Sequence, residues 1–347
     1  MQRLLPLKYT LAFSLYLIAY LAFTLPGYWT YALVIYGYGI IPFFELFYKP
    51  NFSNKRSSIQ QSSIYDYLLY AMLPLHFIAL IYFFFSVNQD NLETYEIVGR
   101  ILTMGTICGH SINIAHELGH RGRKMEQTFA KTLLLGSLYM HFIIEHNRGH
   151  HKRVATLEDP ATARKGEMLY TFLCRSIFYS YISAWKLECK RLKARNIKIF
   201  SFKNEMIQFE IIQTVFCFLI FYFFNPITLL YFFTVSLMGI VLLESINYVE
   251  HYGLLRKKDE NGKYEKITHM HAWNANVTLG RIMLFELSRH SDHHLVASKK
   301  YQALESHDGS PELPSGYIGM ILLSFFPPAW FWIIDPLLEQ INGSEKT

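Results

Sequence analysis

The sequence predicts an all-α, polytopic membrane protein: six transmembrane helices with a histidine-rich cap on the cytosolic side. Three observations carry this. Of 347 residues, 51% are hydrophobic and 16% aromatic, but only 17% are charged, whereas a soluble domain carries about a quarter charged residues. Apolar runs approaching the roughly 20 residues that a helix needs to cross a bilayer recur along the chain. The Lys and Arg residues between those runs alternate as they do where charge sets orientation.

The first run, 9–25, has no small-residue cleavage site and passes through Pro26-Gly27 straight into the second, 28–48. It therefore reads as a span and not as a cleaved signal. The third and fourth runs are 67–86 and 97–115. The fifth apolar run, 211–224, is short and borrows from Met206 to Glu210, giving a span of about 207–224, and the sixth is 227–246. Two more runs, 129–144 and 317–338, the latter with Pro327, Pro328 and Pro336, fit buried, re-entrant or interfacial helices as well as full spans. The intervening segments 145–205 and 251–316 are polar and basic, and the whole of 1–347 reads as a single integral-membrane domain.

Charge orients these spans. Arg3 and Lys8 precede the first, Pro26-Gly27 carries no charge, and Lys49, Lys55 and Arg56 follow the second. Asp90, Glu93 and Glu96 lie between the third and fourth; Arg121, Arg123 and Lys124 come after the fourth. Asn225-Pro226 joins the fifth and sixth, and Arg256, Lys257 and Lys258 follow. Both termini in the cytosol satisfy every loop. Segments 145–205 and 251–316 are then cytosolic, and 129–144 must dip in and return. The net charge of +6 suits anionic lipid headgroups or an acidic protein; the positive-inside bias alone explains most of it, and nothing points to nucleic acid. Cys108, Cys174, Cys189 and Cys217 form no C-x-x-C, so the chain has no cysteine-held metal of its own.

Fifteen histidines are present, and nine fall into four motifs. HELGH puts His116 and His120 at i, i+4 at the cytosolic end of the fourth span. EHNRGHH supplies His146, His150 and His151, the first two a helical turn apart. NYVEHYGL ends the sixth span with His251, and RHSDHH supplies His290, His293 and His294. Residues three and four apart share a helix face, so each cluster is expected to aim its imidazoles at one point. A lone histidine is usually a satisfied polar residue. Nine on one membrane face read as metal ligands, enough for two ions, although imidazole suits zinc, copper, iron and nickel alike. Ligating histidines usually donate their other N–H to a carboxylate or carbonyl. Glu117, Glu145, Asp159, Glu250 and Asp292, with His271, are therefore expected behind the ligands; Glu158-Asp159-Pro160 reads equally well as a helix-ending turn. His76 and His110 within spans, and His141 in the dipping run, are either functional or neutral and hydrogen-bonded. His307 reads as surface.

These motifs carry a resemblance. HELGH, EHNRGHHKRVATLEDPATA, NYVEHYGLLR and LSRHSDHH, in this order, together with HAWNAN, SKKYQAL and LPSGY, closely resemble the membrane-bound alkane 1-monooxygenases. Those are relatives of xylene monooxygenase and, more distantly, of membrane fatty-acid desaturases and hydroxylases. The likeness runs from about Tyr65 to Pro336. It implies a six-helix fold in the bacterial inner membrane, with two non-haem iron ions held by His116, His120, His146, His150, His151, His251, His290, His293 and His294. It implies O2-dependent terminal hydroxylation of medium- or long-chain n-alkanes to primary alcohols. Electrons would come from rubredoxin and its reductase, since no flavin, haem or cysteine-cluster motif is visible here. Rubredoxin is acidic, and Arg121, Arg123, Lys152 and Arg153 form the expected dock. The chain departs from the family pattern at Leu157 (usually Pro), at Ala272 and Ala275 (usually Ser) and at Ser288 (often Gln or Gly). An aromatic that limits substrate length in some relatives aligns with Gly37, beside Tyr36, which leaves room for a longer chain.

Three rival readings remain. H-E-x-x-H is also a zinc-protease signature with Glu117 as general base, but that site needs one further ligand and leaves six histidines idle. A metal carrier would place ligands near the bilayer midplane. Alkylaromatic methyl hydroxylation, or lipid hydroxylation or desaturation, keeps the same centre and changes only the substrate; NYVEHYGLLR with HAWN favours alkanes.

Overall fold

The computed structural model describes residues 2–54 and 62–344. Lys55 and Arg56, and the side chain of Arg3, lie outside the described residues. Every regular element among those described is helical, apart from the isolated bridges Lys258–Tyr264 and Asn274–Glu312. Among the described residues, four helices are long and apolar enough to cross a membrane: Pro6–Thr24, Ile64–Ser86, Glu205–Phe223 and Pro226–His251.

The other expected spans depart from simple apolar helices for identifiable reasons. The run 28–48 is a succession of short segments, Gly27–Tyr31, Ala32–Ile35, a π turn Tyr36–Ile40 and Ile41–Glu45. Pro42 lacks an N–H and its ring crowds the carbonyl four residues earlier. The π turn just before it, with Gly37 and Gly39, absorbs that conflict. The fourth run lies in the helix Thr94–Gly119, opened by a capping box between Glu93 and Glu96. Every residue from Thr103 to Gly119 is buried. A helix enclosed by protein needs no apolar face towards lipid, so it tolerates Arg100, His110 and Asn113.

The run 129–144 is not one helix. Helix Lys124–Leu135 ends early, Leu138 turns back at φ 50°, and helix Phe142–Glu145 follows. The run 317–338 is likewise split, into Tyr317–Ser324 and Pro327–Ser344, at Pro327-Pro328. The segment 145–205, expected only as polar and basic, contains a 26-residue helix, Leu169–Ala194.

The described chain divides into two compact units. The first comprises 2–39, Ser62–Asn147 and Tyr181–Leu243. It is organised round the Thr94–Gly119 helix, whose glycines admit neighbours closely: a Cβ at Gly99 would strike Thr30, one at Gly105 Met238, and one at Gly109 would press on Leu242. An apolar cavity of about 350 Å³ lies between Phe13, Tyr16 and Tyr20 on one helix and Leu75, Ile78 and Tyr82 on another.

The second unit comprises 40–54, Arg148–Ser180 and 244–344. Fully buried Trp273 and Trp330 anchor it. Trp273 Nε1 donates to the Tyr252 carbonyl and Tyr317 Oη to the Trp273 carbonyl, each at 2.8 Å. Trp330 packs against Tyr248 and Tyr252, with ring centres 5.2 and 5.4 Å away. Arg289 donates to the Leu304 carbonyl at 2.8 Å and the Asn276 side chain at 3.2 Å, which fixes the chain immediately before His290.

Candidate metal centre

In the first unit the last turn of Thr94–Gly119 brings His116 and His120 together, with ring centres 4.9 Å apart. His146, the first residue of a π turn His146–His150, joins them: its Nε2 lies 3.0 Å from that of His120, and its ring centre 4.5 Å from that of His116. Asn147 donates to the Gly119 carbonyl at 2.8 Å and ties the two segments.

In the second unit His150, His251, His290 and His294 are all buried, each with a ring nitrogen within 4.8 Å of the others. The Nε2 atoms approach at 3.3 Å (His150–His294), 2.9 Å (His294–His290) and 3.2 Å (His290–His251). His151 and His293 pair in the same unit, ring centres 4.9 Å apart.

The motifs in sequence are therefore not the clusters in space. His146 and His150, expected on one face, join different groups, because a π turn spreads residues four apart that an α turn would align. His290 and His294 stay together, while His293 turns to His151.

Asp159 orients one ring of the tetrad. His150 Nδ1 lies 2.8 Å from Asp159 Oδ2, which also accepts from the Thr162 hydroxyl at 2.7 Å. The segment is folded back by Ala155 in the left-handed region at φ 58°, its N–H donating to Thr162 Oγ1 at 3.0 Å. Burial raises the Asp159 carboxyl, but His150 and Thr162 outweigh it and hold the group below its usual range. With Nδ1–H committed to an ionised carboxylate, His150 Nε2 keeps a lone pair facing inwards. Burial, then the neighbouring imidazoles, push His294 well below its usual range, which favours its neutral form. Inward lone pairs this close repel unless a cation lies among them, and a buried all-imidazole set suits a transition metal.

The carboxylates expected behind the ligands divide. Asp159 is there. Glu145 is buried beside His146 and accepts from the Ser183 hydroxyl at 3.2 Å. Glu250 differs: its Oε2 lies 3.2 Å from His290 Nε2, the nitrogen that faces the tetrad, so it stands on the inward side. Asp292 turns away to Lys299 and the partly exposed His307, each at 2.8 Å. His271 accepts the Thr268 N–H at 2.9 Å on Nδ1.

Glu117 is gripped by Arg121 at 2.8 Å. Arg121 was expected on a docking surface, but it is buried and also bonds Asp66 at 2.5 Å and Glu126 at 3.1 Å. Three carboxylates converging on one guanidinium outbid solvent for it. Arg123 and Lys152 are exposed and Arg153 is half-buried. Asp66, Glu126 and Tyr70, whose hydroxyl donates to Glu126 at 2.7 Å, went unnoticed in the sequence; an acidic residue opening an apolar helix was the available signal.

Gly37 is buried, yet a Cβ there would meet nothing within 4 Å, and the neighbouring Tyr36 hydroxyl lies 3.0 Å from Ser14 Oγ. His76 is fully buried with neither ring nitrogen hydrogen-bonded. His110 packs edge-on to Tyr16 and His141 edge-on to Tyr139.

Comparison with known proteins places these residues in a family. The fatty acid desaturase family profile matches residues 95–333, which contain all nine histidines. Alkane 1-monooxygenase 1 of Alcanivorax borkumensis is 37% identical over 91% of this chain and 79% of its own. Alkane 1-monooxygenase of Pseudomonas putida is 38% identical over 88% and 77%.

The chain belongs to the alkane 1-monooxygenase family.

A further relative, the xylene/toluene monooxygenase hydroxylase component of Pseudomonas putida, is 26% identical over 78% of this chain and 72% of its own. Where this family member departs from the usual pattern, Leu157 is exposed, Ala272 and Ala275 are buried, and Ser288 donates to the Ala275 carbonyl at 2.8 Å. None of these changes removes a histidine.

Proposed function

We propose that this protein hydroxylates the terminal methyl group of medium- or long-chain n-alkanes at a diiron centre. The overall change is RH + O2 + 2 e⁻ + 2 H⁺ → ROH + H2O. The observation that carries the reading is the buried tetrad His150, His251, His290 and His294, with Asp159 behind it, in a chain of this family. The tetrad would hold one iron; the triad His116, His120 and His146 would serve the other, and His151 and His293 are the remaining imidazoles. Bound iron supplies dioxygen activation. The residues around it do the rest.

Asp159, through His150, keeps the ring oriented and its lone pair inward. Glu250 places a carboxylate beside His290, and Glu145 is held next to His146. An alkane offers no hydrogen bond, so its position is set by apolar walls alone, and the open space at Gly37 lengthens the chain that fits. Two electrons per turnover come from rubredoxin, reduced by its reductase; Lys152 and Arg153 in the second unit, and Arg123 in the first, are the cations offered to it. The chain acts as one catalytic domain in the bacterial inner membrane, with six spans, both termini and the histidines on the cytosolic side.

The xylene/toluene relative supports a second reading, alkylaromatic methyl hydroxylation. Purified protein with iron, rubredoxin and reductase, offered n-alkanes and xylenes together, separates them: 1-alkanols support the proposal, and benzylic alcohols alone move it to the second reading.

A further inference from the structure

The segment 186–203 combines two features that the site does not use. It carries seven cations (Lys186, Lys190, Arg191, Lys193, Arg195, Lys198 and Lys203) against one carboxylate, Glu188. Glu188 is buried, and Arg191 grips it. The other six cations are exposed. Among them stand Phe200 and Phe202, 90% and 80% exposed.

The loop that presents them is stapled at both ends. Asn196, at φ 55°, ends the helix Leu169–Ala194, and the Ile197 N–H returns to the Leu192 carbonyl at 3.0 Å. Asn204 caps the next helix, accepting from the Met206 N–H at 2.9 Å, and its own amide donates to the Ile199 carbonyl at 3.0 Å. The two phenylalanines are thus held outwards by the fold.

Their depth follows from helix length. Glu205–Phe223 has 19 residues, about 28 Å at 1.5 Å each, against a hydrocarbon core of about 30 Å. Asn225-Pro226 turns the chain immediately afterwards, so the helix must be used from its first residue. The membrane boundary then falls at about Glu205, where Lys131 pairs with it at 2.7 Å. Phe202 and Phe200 lie three and five residues before that boundary, at headgroup level, among lysines.

We infer that 193–203 is an interfacial anchor for anionic phospholipid: Phe200 and Phe202 enter the headgroup–acyl boundary, and Lys193, Arg195, Lys198 and Lys203 bind lipid phosphates. An aromatic–cationic rim at the end of a span fits that surface. A soluble acidic protein would leave two phenylalanines facing the bilayer unexplained. The inference rests on reading Glu205–Phe223 as a membrane span.

The test uses the full iron-loaded chain in nanodiscs of phosphatidylcholine, with and without phosphatidylglycerol. Bound phosphatidylglycerol is counted by native mass spectrometry, and the apparent affinity for it is read by titration. The expected result is a preference for phosphatidylglycerol that falls about fivefold per cation removed, up to about a thousandfold in K193Q/R195Q/K198Q/K203Q. F200S/F202S should lower retention of both lipids. An unchanged preference in the quadruple variant, or none in the wild type, overturns the inference. So does loss of rubredoxin binding with lipid preference intact, which would make the patch a protein dock. Cys217, inside Glu205–Phe223, checks the underlying reading separately: labelling by an impermeant maleimide in sealed vesicles means that the helix does not span, whatever the lipid result.

Discussion

Replacing Asp159 by Asn tests how the metal centre is held. In the wild type a buried carboxylate engages His150 Nδ1 at 2.8 Å and the Thr162 hydroxyl at 2.7 Å. Asparagine keeps the shape and removes the charge. A charge-assisted hydrogen bond is worth about 1.5–3 kcal/mol and a neutral one about 0.5–1.5, so the loss at His150 is about 1–1.5 kcal/mol, roughly tenfold in iron affinity. Removing a carboxylate behind a ligating histidine generally costs about 10–100-fold, and D159A should lie towards the upper end. T162V removes two hydrogen bonds, to Asp159 and from the Ala155 N–H, but leaves the carboxylate ionised and on His150, so it should cost less iron affinity than D159N. The assay is iron retained per chain against a graded chelator, with circular dichroism confirming the fold. D159N holding iron within twofold of the wild type would refute the reasoning.

G37F should shift the product distribution towards shorter alkanes, because the added ring fills space that is open in the wild type; unchanged chain-length selection, read by gas chromatography, would count against the substrate path. R121A should destabilise the protein by about 3–5 kcal/mol, since it strands buried carboxylates, whereas R123A should change stability by less than about 0.5 and raise the KM for rubredoxin; equal melting temperatures for the two variants would contradict this. Burial raises the Glu312 carboxyl from 4.5 to about 7, so the folded chain binds that proton more tightly than the unfolded one, and its contribution to stability is lost as pH rises through that window. E312Q should therefore melt higher than the wild type at pH 8, with the advantage shrinking towards pH 5.

Much of this was legible in the sequence, and what was missed has physical causes. Four apolar helices and the nine histidines stand out because lipid demands long apolar runs and because clustered imidazoles have few other uses. Grouping the histidines by motif failed at His146 and His150, where a single π turn redirects one residue; nothing in EHNRGHH announces that turn. The second run broke because Pro42 acts on the residues before it, and the fourth carries polar residues because protein encloses it. Arg121 looked like surface because its acidic partners Asp66 and Glu126 come from other helices, and the partners of a charge are a tertiary fact. Asp159 was ambiguous for the opposite reason: the same Asp-Pro that ends a helix also folds its carboxylate under His150.

The most direct test of the central claim is product analysis under ¹⁸O2. Iron-loaded protein with active rubredoxin and reductase would receive mixed n-alkanes, alkylaromatics and fatty acyl substrates. The account predicts 1-alkanols carrying one ¹⁸O atom. Unlabelled unsaturated products, labelled benzylic alcohols alone, or no product from partners proven active would contradict it.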